Sequence, residues 1–254
     1  MDLGLKDRRA LVTAASKGLG RASAEALVAE GAQVFISSRD PAAIEATGKA
    51  IKASGWLAAD VSKAGLPEQL VDTASTRLGG LDILVVNAGP PPLGTFQNTP
   101  LEGWDTAFHL TLMSAVRLVR EALPHLKSSD QGRIVFITSI SVRQPIPNIA
   151  LSNSLRAAVT GLAKTLSREL AADRITVNCL APDAILTDRI RQIAAASGGD
   201  PEEQVKRMAA GAPMKRLGDP AEFGAACAFL CSRQAGYITG QTLGVDGGAL
   251  LGVY

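Results

Sequence analysis

Side chains that move protons near neutrality are scarce in this chain, which has two tyrosines (Tyr237, Tyr254), two histidines (His109, His125) and three cysteines among 254 residues. Acid–base chemistry must therefore draw on a short list that otherwise contains only lysines and carboxylates. The clearest chemical signal is a glycine-bearing turn, Thr13-Ala14-Ala15-Ser16-Lys17-Gly18-Leu19-Gly20, which follows an apolar run and opens a helical pattern. Glycines at such a junction let backbone N–H groups approach a phosphate, and the helix start adds partial positive charge. The G-x-G-x-x-G spacing is absent, so the turn alone also reads as an ordinary loop. Its context favours a nucleotide. A second apolar run ends Phe35-Ile36-Ser37-Ser38-Arg39, with serine and arginine where an NAD site would place an acid for the ribose hydroxyl. Lys17 and Arg39 are expected to converge on a 2′-phosphate, which points to NADP(H) rather than NAD(H).

These residues need a frame, and the hydrophobic pattern supplies one. Short apolar runs at Ala10–Ala14, Gln33–Ser37, Trp56–Ala59, Ile83–Asn87, Arg133–Thr138, Ile175–Leu180 and Thr242–Val245 predict strands. Between them, helical spacing predicts helices at Gly20–Glu30, Pro41–Ala53, Leu66–Leu78, Leu101–Leu126, Ile149–Ala171 and Pro220–Ser232. Runs such as Ile83-Leu84-Val85-Val86 are apolar on both faces, as expected of strands covered by helices on each side. The alternation predicts an α/β fold with a mostly parallel sheet. No linker or repeat divides residues 1–254, so a single domain is expected. The polar, Ala/Gly-rich stretch Thr187–Leu217 is the one irregular segment. It follows the sixth strand, where ligands of open α/β sheets bind, and is expected to form a lid. Pro90-Pro91-Pro92 is expected to stiffen one wall of the pocket.

Composition excludes several classes. With 46% hydrophobic residues and 26 basic against 24 acidic side chains, net +2, neither a disordered chain nor an electrostatic case for nucleic acid or a membrane surface stands. Three cysteines without metal-ligand spacing argue against a disulfide framework or a metal site and for a reducing, cytoplasmic compartment. Cys227 and Cys231, four apart, read as small core residues. Charges interrupt the amino-terminal residues, so no signal peptide or membrane span is expected.

Taken together, the glycine turn, Asp60-Val61, Asn87-Ala88-Gly89, Ile137-Thr138-Ser139, Arg174-Ile175-Thr176-Val177-Asn178 before Ala181-Pro182, and Thr239-Gly240-Gln241 before Asp246-Gly247-Gly248 resemble the short-chain dehydrogenase/reductase superfamily. Their order and spacing match over essentially the whole chain, nearest in character to the β-ketoacyl-carrier-protein reductases. The resemblance implies a Rossmann-like, doubly wound, seven-stranded sheet in a three-layer αβα arrangement, a nicotinamide cofactor, a small carbonyl or alcohol substrate and a homotetramer or homodimer. It also implies cofactor contacts from Thr13, Ser16, Lys17, Gly18, Leu19, Gly20, Ser38, Arg39, Asp60, Val61, Asn87, Ala88, Gly89, Arg156, Pro182, Ile185 and Thr187.

The catalytic positions depart from the family pattern. The tyrosine expected thirteen residues after Ser139 is Ser152, and the lysine four further on is Arg156. The asparagine expected seven residues after Trp104 is Thr111. Only Ser139 of the four is retained. Ala14 stands for the first glycine of the turn, and Asp183 for the glycine after Ala-Pro. A serine hydroxyl is shorter and far less acidic than a phenol, so Ser152 cannot inherit the tyrosine's task, and an arginine keeps its proton near neutrality. Asp183 is the foremost candidate replacement acid, because burial would raise its pKa. His109 reads as a structural or interface residue, and Tyr254 of a second copy is a further candidate. The expected function is NADP(H)-dependent hydride transfer between carbonyl and hydroxyl with a remodelled proton donor. The alternative is a catalytically impaired NADP(H)-binding or scaffold protein of the same fold. A methyltransferase-like binder of adenosyl ligands is disfavoured by Ser38-Arg39.

Overall fold

The computed structural model describes residues 1–253. Strands β1 (Arg9–Val12), β2 (Gln33–Ser38), β3 (Gly55–Ala58), β4 (Ile83–Val86), β5 (Arg133–Ile137), β6 (Thr176–Pro182) and β7 (Thr242–Val245) form one parallel sheet of order β3-β2-β1-β4-β5-β6-β7. The chain winds outward from β1 to β3, returns beside β1 as β4, and winds outward the other way. The reversal lies between β1 and β4, and crevices for ligands open at the carboxyl ends of strands at such a point.

The apolar runs explain the layering. Within β4, Ile83 and Val85 enter one core while Leu84 and Val86 enter the other, because successive side chains of a strand face opposite sides. The first core is closed by α1 (Gly18–Ala29), α2 (Pro41–Ile51) and α9 (Pro220–Cys231), through Leu27, Ile44 and Phe223. The second is closed by α3 (Leu66–Leu78), α5 (Ser114–Lys127) and α6 (Ala150–Glu169), through Leu70, Leu118 and Val159. Central strands β4, β5 and β6 are buried throughout, whereas the edge strand β3 alternates. The three cysteines are buried free thiols. Among the described residues, no helix is long and apolar enough to cross a membrane.

Three expectations need correction. β1 ends at Val12 and not Ala14, because Ala14 turns to φ 47° and takes the chain out of the sheet. The predicted helix over Leu101–Leu126 is α4 (Leu101–Ala107), a π-helical stretch Phe108–Met113, and α5. The segment after β6, expected to be irregular, contains α7 (Asp188–Ala196) and α8 (Pro201–Gly211), the latter capped by the Asp200 carboxylate. Their polar, alanine-rich sequence hid helices whose formation does not depend on a broad apolar face.

Opposite the crevice, the sheet is pinned by one buried acid. Asp82, 2% exposed, accepts from the Arg9 backbone N–H at 2.9 Å, from Arg9 Nε and Nη2 at 2.9 and 2.8 Å, and from Ser129 Oγ at 2.6 Å. Burial pushes its pKa up, but the Arg9 and Ser129 hydrogen bonds outweigh that and hold it below the ordinary value. Asp82 therefore contributes stability that is complete above the unfolded-state pKa of about 4 and lost as pH falls below it. Replacing it by asparagine leaves Arg9 without its counter-charge. Asp82→Asn should lower unfolding free energy by about 3 kcal/mol at pH 7 and by progressively less as pH falls below about 4, measured by urea denaturation across that range.

Candidate active site

The site is built where β1 and β4 end. Thr13 Oγ1 donates to the Asn87 carbonyl at 2.6 Å and accepts from the Asn87 N–H at 2.9 Å, so one side chain joins the two strand ends. Asn87 Nδ2 donates to the Ala14 carbonyl at 3.2 Å and holds the left-handed turn. Gly20 fits against this turn as only glycine can: a Cβ there would lie 2.4 Å from the Ala14 oxygen and 2.8 Å from Asn87 Nδ2. Thr47 Oγ1 donates to the Ser16 carbonyl at 2.8 Å and fixes the next residues of the loop.

The amino terminus of α1 begins at Gly18, two residues earlier than the sequence suggested, so Gly18, Leu19 and Gly20 present helix-start N–H groups. Helices α2 and α9 have these donors capped by Asp40 and Asp219. In α1 the cap position is Lys17, no side chain caps it, and the first turn carries no acid. Backbone donors, a helix dipole and close approach allowed by Gly20 fit the phosphates of a dinucleotide. Buried Ser38 lies at the end of β2, and Asp60 Oδ1 accepts from both the N–H and hydroxyl of Ser62 at 3.0 and 2.7 Å. Burial works to raise the Asp60 pKa, but Ser62, Lys63 and Arg39 hold it below the ordinary value. Val61 is buried in the core, and Ala88 and Gly89 follow Asn87 around the crevice.

Lys17 and Arg39, expected to converge on a 2′-phosphate, each have an acid in their neighbourhood. Lys17 Nζ lies 4.0 Å from Asp188 Oδ2 on α7, while Arg39 acts on Asp60. The α7 segment comes close to the phosphate turn: Thr187 Cγ2 lies 3.8 Å from where a Gly18 Cβ would stand. Pro182 ends β6, and buried Ile185 bridges to Gly218 behind the segment.

Ser139 follows β5 with an extended backbone, and its Oγ accepts from the Ser141 N–H at 3.1 Å. That bond occupies a lone pair and leaves the hydroxyl proton free to donate outward. On α6, Ser152 Oγ accepts from Arg156 Nε at 3.2 Å, so this hydroxyl is also backed by a donor. Arg156 Nη1 donates to the carbonyls of Ile137 and Thr138 at 2.8 and 3.3 Å, which ties the guanidinium to the strand leading into Ser139. Ser139, Ser152 and Arg156 thus form one cluster. Burial, reinforced by nearby Arg189, lowers the Arg156 pKa to about 10, and the group stays cationic at neutral pH.

Thr111 lies on the π-helical stretch, 6% exposed, with its hydroxyl buried and without a partner. Such stretches recur at functional sites, and buried hydroxyls are nearly always bonded. Asp183 follows Pro182 at the end of β6, the strand that pairs with β5, and is half-buried. Its pKa is raised by burial and by Asp246, against a bond from the Ala184 N–H. Among the described residues no hydrogen bond joins Asp183 to Ser139, Ser152 or Arg156. His109 is exposed against Phe108, and Tyr237 is fully exposed. Tyr254 lies outside the described residues.

Sequence reasoning missed Arg189. From the first turn of α7 it reaches the carbonyl of buried Pro91 at 3.5 Å and approaches Arg156. An arginine in a polar, helical segment reads as solvated surface, and only the fold turns it inward. The α7 segment thus touches Pro91, which was expected to stiffen one wall of the pocket.

Gly20→Ala should disturb the Thr13–Asn87–Ala14 junction directly. We expect Tm to fall by about 2–10 °C in calorimetry and nucleotide affinity to fall more than about tenfold.

The chain is similar to known proteins over nearly its whole length. Residues 13–249 match the family model described as Enoyl-(Acyl carrier protein) reductase. The chain is 36% identical over 252 residues to "Dehydrogenase/reductase SDR family member 4" of Bos taurus, covering 97% of this chain and 88% of that protein. It is 34% identical over 247 residues to the 3-oxoacyl-[acyl-carrier-protein] reductase FabG of Vibrio cholerae, covering 97% and 98%. The crystal structure of L-sorbose reductase from Gluconobacter frateurii, complexed with NADPH and L-sorbose, superposes over 100% of both chains with a TM-score of 0.94 at 32% identity.

Proposed function

The chain belongs to the short-chain dehydrogenase/reductase family, and from that premise we propose that it is an NADP(H)-dependent oxidoreductase that interconverts a carbonyl and a hydroxyl group at a remodelled site. The observation that carries this reading is the uncapped start of α1, packed against Asn87 and Thr187, on the same sheet edge as the Ser139–Ser152–Arg156 cluster. The residues that would hold the dinucleotide are Thr13 through Gly20 and Thr187 at its phosphates, Ser38 and Arg39 at the 2′-phosphate, Asp60 and Val61 at the adenine, and Asn87 through Gly89 at the ribose. Pro182 and Ile185 would flank the nicotinamide. When bound, the nicotinamide supplies or takes up the hydride at the carbonyl carbon.

The chain's own residues manage the oxygen. Negative charge gathers there as the carbonyl is reduced, and fixed donors stabilise it. Ser139 and Ser152 each accept from a held N–H and so have a hydroxyl proton to direct at that oxygen. Arg156 adds positive charge through Ser152. Asp183 is a candidate to hold the final proton, since burial favours its neutral form. The α7–α8 segment serves as the lid, with Lys17 to Asp188 as a latch. By family likeness the molecule assembles as a homodimer or homotetramer. A second reading, a cofactor-binding protein without turnover, is favoured by one observation: Ser152 and Arg156 supply no phenol and no lysine beside Ser139.

NADPH titration followed by fluorescence should show binding that is at least about tenfold weaker for NADH, with Arg39→Ala removing the difference. Equal affinity of the unaltered protein for both would overturn the 2′-phosphate assignment. In NADPH oxidation assays Ser139→Ala should lower kcat by about 10²–10³-fold. Restoring the pair with Ser152→Tyr and Arg156→Lys should raise turnover of simple ketones. NADPH binding without oxidation by any carbonyl compound would select the second reading.

A further inference from the structure

The chain between Ser139 and Ser152 makes an excursion from the end of β5 to the start of α6, and burial does little to hold its tip. Pro145, Pro147 and Asn148 are exposed and Ile146 is half-buried. Hydrogen bonds fix it instead, and the prolines set the terms. Neither Pro145 nor Pro147 has an N–H, and Pro147 keeps Ile146 in extended backbone. An extended residue turns its N–H and C=O to the same side, as the bonded pairs of an antiparallel ladder do. The Asn153 amide meets both groups: Nδ2 donates to the Ile146 carbonyl at 2.9 Å, and Oδ1 accepts from the Ile146 N–H at 3.4 Å. Asn153 thus does for Ile146 what a neighbouring strand would do, from the position next to Ser152 on α6.

Other bonds join the same excursion to its surroundings. Gly94 donates to the Asn148 carbonyl at 2.8 Å and accepts from the Ala150 N–H at 3.1 Å, a parallel bridge between Gly94 and Ile149. Asn148 stands at φ 62°, a conformation that asparagine tolerates better than most residues. Arg143 Nη2 donates to the Thr242 carbonyl of β7 at 3.0 Å. The excursion is therefore one piece with the segment after β4, at the carboxyl ends of the strands where the crevice opens. Residues 88–101 and 144–155 contain no Asp, Glu, Lys, Arg or His, so both segments offer a substrate shape and no ion pair. We propose that Asn153 is a positioning residue: by pairing with Ile146 it holds residues 144–149 as a rigid wall between Ser139 and Ser152, and the site selects neutral ketones by the size of the group that faces this wall. This rests on the hydride-transfer reading above and adds what sets its selectivity. Asn153 acts through Ile146 and not on the reacting atoms.

The test follows NADPH oxidation with acetophenone, propiophenone and butyrophenone, which share a ring and grow by one methylene at a time, together with amide hydrogen exchange of the 144–150 segment by mass spectrometry. In the unaltered protein kcat/KM should fall at least about tenfold from the smallest ketone to the largest. Asn153→Ala should shrink that fall to less than about threefold, through KM, while kcat for acetophenone and NADPH affinity each change less than about threefold. The Ile146 amide should exchange at least about tenfold faster in that variant. Asn153→Asp keeps the size but sets a carboxylate against the Ile146 carbonyl, so at neutral pH it should match Asn153→Ala, and it decides the question if Asn153→Ala does not fold. A size ratio absent from the unaltered protein, or unchanged in the variants, would overturn the selecting wall. So would equal losses of kcat and NADPH affinity, which would make Asn153 a general support of α6. Should the hydride-transfer reading itself fail, the unaltered protein reduces none of the three ketones, and their calorimetric binding to the NADPH complex decides the wall by the same ratio, with no binding counting against it.

Discussion

The site depends on the paired hydrogen bonds between the Thr13 hydroxyl and the Asn87 backbone. They close the sheet at the one place where its winding reverses, with a side chain acting as one more strand residue. Everything near the crevice is placed by reference to that junction. Asn87 can reach the Ala14 carbonyl only because its backbone is held, and Ala14 can keep φ 47° only because that carbonyl has a partner. An alanine in the left-handed region costs about 1 kcal/mol relative to glycine, a sum that the Asn87 bond is sufficient to offset. The start of α1 then falls where Gly20 can nest, and with it the direction of three N–H groups. The methyl that departs from the family's usual glycine is accommodated without moving the cradle.

The same edge shows what exchanging a tyrosine and lysine for a serine and arginine does physically. A phenol and an ammonium together donate a proton and hold charge at two separate points. Ser152 and Arg156 merge into a single unit, because Nε bonds the very hydroxyl that occupies the tyrosine's place. The unit is shorter and more strongly tied to the strand, through Ile137 and Thr138. It holds charge well and parts with protons poorly.

Much of the frame was legible because burial on both faces leaves a plain mark: Ile83-Leu84-Val85-Val86 and Ile134-Val135-Phe136-Ile137 admit no other reading in an alternating chain. The glycine turn and the Ser139–Ser152–Arg156 spacing were legible for the same reason, each being local. What escaped was set by contacts distant in sequence. Thr13 looked like a strand residue because its side chain substitutes for backbone pairing. The π stretch was hidden because Leu101–Leu126 keeps an acceptable helical pattern across it. The approach of Asp188 to Lys17 left no local signal either, since Asp188 lies far along the chain. Arg189 has no local signal at all, since its role depends on α7 folding back over Pro91.

The π-helical stretch Phe108–Met113 also bears on how this part of the chain can change length. It carries more residues per turn than the helices on either side, so deleting one residue would let α4 and α5 run on as a single regular helix. The residues beyond the deletion would keep their facing, because the wide turn has already absorbed the residue that the deletion removes. Ala115, Leu118, Val119, Ala122 and Leu126 would stay against the core they fill. A change of length here would therefore be felt at the Thr111 position, where the buried hydroxyl stands, and not in the packing of α5.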